Sequence, residues 1–137
     1  MSRSEEVDFN PRSIKSGGDL IAAAFLADGV QSGLTAGTTQ TQAGAVVGTH
    51  GFIIVAVCAN ANDGLALPVA ENADGTSKLL MVTNDGAAAC KVWPATGGTV
   101  NGGAANAADA TAIPVGETRI YRSTSALNWE RLILEDA

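Results

Sequence analysis

The residues able to do chemistry are few and scattered. One histidine, His50, stands between Gly48 and Gly51, and two cysteines, Cys58 and Cys90, each sit in an apolar run. A Ser-His-Asp site would have to recruit a serine without a nucleophile-elbow motif, and one histidine with two distant cysteines is a poor zinc set. Asn60-Ala61-Asn62-Asp63-Gly64 and Glu71-Asn72-Ala73-Asp74-Gly75 are rich in oxygen donors. With Gly64 at the sixth place of an EF-hand loop, positions one, three and twelve are Ala59, Ala61 and Ala70; with Gly75 they are Ala70, Asn72 and Met81. Neither can ligate calcium as an EF-hand, which leaves open a non-standard site from Asp63, Glu71 and Asp74. Gly97-Gly98-Thr99-Val100-Asn101-Gly102-Gly103 has the glycines of a phosphate loop but lacks its lysine and following helix. We therefore expect no catalytic residues, no metal and no cofactor: the chain does not read as an enzyme.

Trp93 and Trp129 have two readings, as buried anchors of a sheet or as an exposed sugar-stacking platform; anchoring is the expectation. Cys58 and Cys90 read as small buried hydrophobes with free thiols, the alternative being a disulfide.

Composition narrows the partners. Lys+Arg 8 against Asp+Glu 14 gives a formal net charge of -6, which argues against nucleic acid, whose phosphates require a dense basic patch. No stretch is long and apolar enough for a membrane span, and Met1–Glu6 does not open a secretory signal. Charged residues make up 16% of the chain, so much of the surface must be Gly, Ala, Ser, Thr and Asn, which suits close contact with other subunits.

The elements that must position these residues follow from patterning. Residues 1–18 are polar, charged and broken by Pro11 and Gly17-Gly18, with isolated Val7, Phe9 and Ile14. This segment is either a disordered tail or an extended arm that orders on a neighbouring subunit, with Phe9 and Ile14 as anchors and Arg12 and Lys15 against acidic groups. Asp19-Leu20-Ile21-Ala22-Ala23-Ala24-Phe25-Leu26-Ala27-Asp28-Gly29 has an N-cap, good helix formers and a terminal glycine, which predicts a short helix near 19–28. Residues 30–48 predict at most an edge strand around Thr39–Ala43. Phe52–Cys58 is the strongest strand and should be central. Lys78–Thr83 and Ala88–Trp93, joined by Asn84-Asp85-Gly86, predict a hairpin, and Thr118–Ser123 and Asn128–Leu134 two further strands. A chain of 137 residues so patterned is one all-β domain over 19–137, a small β-sandwich or barrel-like body with the arm in front.

Gly64-Leu65-Ala66-Leu67-Pro68, Val82-Thr83-Asn84-Asp85-Gly86, the run from Val92-Trp93-Pro94 to Asn106, and Asn128-Trp129 together resemble a β-rich module of tailed-bacteriophage virion structural proteins, over about half the chain. The resemblance implies a capsid decoration or cement protein, or a fibre-associated one. It implies self-association, commonly as a homotrimer, with the major capsid protein as partner. The location implied is the virion surface, after assembly in the host cytoplasm. Neither sequence repeats nor a coiled-coil stalk are evident, which favours decoration over a long fibre. Gly97, Gly98, Asn101 and Gly102 are then expected at a subunit contact or exposed tip; the arm lies outside the matched segment, and its Phe9, Arg12, Ile14 and Lys15 are expected against the capsid from their own spacing and charge. The alternative is a receptor- or glycan-binding module of a fibre or tail.

Overall fold

The computed structural model describes residues 29–71 and 75–132, and these are built from strands and turns. In chain order the strands are β1 (Val30–Thr35), β2 (Val46–Val47), β3 (Phe52–Val57), β4 (Gly64–Ala66), β5 (Leu79–Asn84), β6 (Lys91–Trp93), β7 (Thr99–Val100), β8 (Thr118–Ser125) and β9 (Asn128–Leu132). They form a six-stranded sheet in the order β1-β3-β5-β8-β9-β7 and a three-stranded sheet in the order β2-β4-β6.

From β1 to β6 the chain alternates between the two sheets, and within each sheet these strands are parallel. The result is three stacked coils. Val30, Phe52 and Met81 lie in register down one sheet, as do Val46, Leu65 and Val92 down the other. The repeat is thus structural. It escapes the sequence because the successive intervals differ in length, each coil taking a loop of its own.

Two-residue periodicity decides what each strand buries. Ile53 and Val55 of β3 and Leu80, Val82 and Asn84 of β5 point inward, while their neighbours are half-buried or exposed. Leu65 and Val92 face them from the smaller sheet, and with Cys58, Leu67, Cys90, Ile113, Tyr121 and Trp129 they make one core. The antiparallel hairpin of β8 and β9 closes the stack, with β8 pairing along β5 and β7 joining parallel to the far side of β9.

The all-β class agrees with the sequence expectation, but the connections do not. The hairpin expected across Asn84-Asp85-Gly86 is not formed: β5 pairs with β3 and β8, and the chain crosses to the other sheet to become β6. The cause is the preceding coil, which takes the turn's donors. Asp85 N donates to Val55 O at 2.9 Å, and Ala87 N and Ala88 N both donate to Cys58 O at 3.0 and 2.8 Å. Likewise the edge strand expected near Thr39–Ala43 is a series of turns, and strands lie on either side of it as β1 and β2. β3 is central as expected, between β1 and β5, yet its end at Ala56 and Val57 is exposed. The arm at 1–18 and the helix near 19–28 lie outside the described residues, as do residues 133–137.

Candidate functional site

Among the described residues, His50 and the two buried carboxylates make their bonds within the fold. His50 Nδ1 is 2.8 Å from Thr49 Oγ1, and its ring packs so near Gly29 that a Cβ there would sit 3.1 Å from Cδ2. Asp63, 1% exposed, accepts from Asn60 N at 3.1 Å and from Gln40 Nε2 at 3.3 Å, closing its own turn. Asp109, 2% exposed, accepts from Tyr121 Oη at 3.1 Å, pairs with Arg131 and receives Thr111 N at 3.2 Å. Burial, and then the neighbouring carboxylate, push the Tyr121 hydroxyl above its usual range. Among the described residues no group of three His, Cys, Asp or Glu side chains is placed to hold a metal ion.

Both tryptophans are inside. Trp129 donates from Nε1 to Pro68 O at 3.1 Å, tying the closing hairpin to the second coil. Trp93 stands over Gly64, where a Cβ would come within 2.1 Å of its ring, and Lys91 Nζ lies 5.7 Å from its centroid. Glycine at 64 is therefore a packing requirement.

The glycine-rich turn is tied down at both ends. Gly97 N donates to Asn106 Oδ1 at 2.7 Å and Asn106 N to Gly98 O at 2.8 Å. Asn101 N donates to Trp129 O at 2.8 Å, and Asn101 Oδ1 accepts from Arg131 N at 2.9 Å. Gly97, Asn101 and Gly102 are exposed at positive φ, whereas Gly98 is buried against Leu127 O. The four residues expected to act together are thus three at the surface and one in the packing. Phe9, Arg12, Ile14 and Lys15 lie outside the described residues.

Sequence reasoning missed one feature, an apolar groove of about 430 Å³ across the outer corner of the three coils. Val47 and Thr49 come from the first coil, Pro68 and Val69 from the second, and Pro94 and Thr96 from the third. Val47 and Val69 are 54% and 49% exposed there. Gln42 Nε2 donates to Pro94 O at 2.8 Å and holds one wall. These residues are far apart in sequence and meet only through the stacking register, so no local motif announces them. Compared with known protein families, with characterised proteins and with solved structures, the chain shows no match.

Proposed function

We propose that the protein is a structural component of a tailed-bacteriophage virion, a capsid decoration protein that binds the outer surface of the head and bridges capsid subunits. The observation that carries this reading is the combination of an exposed apolar groove with a body whose buried polar side chains, Asp63, Asn84 and Asp109, are all bonded within the fold. Such a body offers a surface for docking, and among the described residues its buried carboxylates and amide are committed to the fold. The resemblance over Gly64–Trp129 supplies the virion context, and two sheets around one core support the reading of a sandwich-like platform. A subunit that binds only the assembled shell stabilises it by mass action against the pressure of packaged DNA. Self-association, as a homotrimer, multiplies these contacts.

Co-sedimentation of the full-length protein with phage heads that lack it tests the reading. Saturable binding that raises the heads' disruption temperature is expected, and Phe9→Ser with Ile14→Ser should weaken binding at least tenfold while leaving the β-body's circular dichroism unchanged. Unaltered binding by the double variant would remove the arm from the contact. The receptor- or glycan-binding alternative keeps the exposed turn but loses its stacking surface to the burial of Trp93 and Trp129. Failure to bind heads, with retention on a glycan array, would favour it.

A further inference from the structure

Cys58 and Cys90 occupy corners of adjacent coils, Cys58 just after β3 and Cys90 just before β6. Both thiols are free and buried, 1% and 0% exposed, and each is close enough to the other for its charge or dipole to shift its neighbour's titration. The backbone holds them together from both sides. Cys58 O receives Ala87 N and Ala88 N, and Cys58 Sγ lies 3.5 Å from Ala89 O, the carbonyl joined to Cys90. A Cβ on Gly86 would come within 2.6 Å of Cys58 Cβ, so the absence of a side chain at 86 is what lets this corner close. Single buried cysteines serve as small hydrophobes, but two buried thiols brought to one corner by a fixed turn are placed as the reduced half of a disulfide couple.

We propose that Cys58 and Cys90 are a reversible disulfide site that staples the second coil to the third when the protein meets a small-molecule disulfide. In the balanced reaction Cys58 loses its proton and attacks one sulfur of the reagent, whose S–S bond breaks to release one thiol. Cys90 then loses its proton and attacks Cys58 Sγ, forming the intramolecular bond and releasing the second thiol. The two cysteines are oxidised and one reagent disulfide is reduced. Cys58 is the first nucleophile because it adjoins the exposed corner Ala59-Asn60-Ala61-Asn62, whereas Cys90 lies between half-buried Ala89 and Lys91. Burial, its largest cause, raises both thiols, Cys90 to about 12, so the reaction is slow in the closed protein and its rate follows opening of that corner. The closed loop contains β4 and β5, long enough for a substantial constraint on the unfolded chain. The inference is independent of the virion reading.

The test incubates the full-length protein with glutathione disulfide, traps residual thiols with N-ethylmaleimide and measures intact mass. Loss of two hydrogens with no retained glutathione is expected, with a rise of roughly 5 °C or more in the unfolding midpoint, reversed by dithiothreitol. Cys58→Ser and Cys90→Ser should each retain at most one glutathione and show no rise. Their alanine counterparts replace them if the serine forms fold poorly. Two glutathiones on the wild type, or two alkylated thiols after oxidation in a sub-denaturing urea concentration that opens the corner, would overturn the proposal.

Discussion

Asn84 shows how much a single buried polar side chain can determine. It is 0% exposed on the core face of β5, where the alternation that buries Leu80 and Val82 demands an inward residue. Its Nδ2 donates to Ala88 O and Ile113 O, each at 2.9 Å, and its Oδ1 accepts from Gly86 N at 2.9 Å. One amide therefore satisfies three backbone groups, two in the corner after β5 and one at Ile113. Asn84→Ala removes all three partners while the backbone stays buried, so a loss of about 3 kcal/mol is expected in urea unfolding. Asn84→Asp should be at least as costly, since a carboxylate oxygen would then face two carbonyls. A loss below about 1 kcal/mol for the alanine variant would mean that the corner relaxes enough to hydrate these groups.

At the scale of the element, the glycine-rich turn divides into two kinds of glycine. A Cβ on Gly98 would lie 2.1 Å from Leu127 O, a backbone atom of the closing hairpin that cannot swing aside. Gly102 has open space around it but φ +72, where an L side chain is strained. Gly98→Ala should thus lower stability by about 2–3 kcal/mol and loosen the β7 to β9 pairing, and Gly102→Ala by only about 1 kcal/mol. Equal losses, measured by urea unfolding of both variants, would show that the contact with Leu127 yields. This distinction was invisible in the sequence, where the glycines read as one unit, a subunit contact or an exposed tip. Strand positions were more legible: the apolar runs of β3 and β5 and the later pair β8 and β9 announce themselves by composition and periodicity. Partnership was not. Asn84-Asp85-Gly86 has the chemistry of a tight hairpin turn, but its donors are claimed by Val55 and Cys58 of the previous coil, a tertiary fact with no local signature. The groove was illegible for the same reason, being made by register rather than by any segment. The buried roles of Trp93 and Trp129 follow from size and apolarity alone.

Taken as a whole, the molecule buries protons that its unfolded chain would release. Cys90 is held protonated up to about 12 against an ordinary value near 9.0, by burial first and then by the neighbouring Cys58. Cys58 moves in the same direction, and Tyr121 is raised from 10.0 by burial and by Asp109. These groups lie on different coils and on the closing hairpin but share one core, so global unfolding exposes them together. Below pH about 9 the thiols are protonated in both states and their contribution to stability is fully present. As pH rises toward about 12 the unfolded chain loses protons that the folded one keeps, so stability falls, by up to about 1.4 kcal/mol per unit for each such group. Under reducing conditions the urea midpoint should hold to about pH 9 and then decline. Between about pH 9 and 10 the thiols, with the lower ordinary value of 9.0, lead the decline, and Tyr121, raised from 10.0, adds to it as the pH nears 10. Cys90→Ala, whatever its stability at neutral pH, should show a shallower slope in that interval. If the two proteins decline in parallel there, Cys90 is already hydrated in the folded state, and the core is open at the very corner where the coils meet.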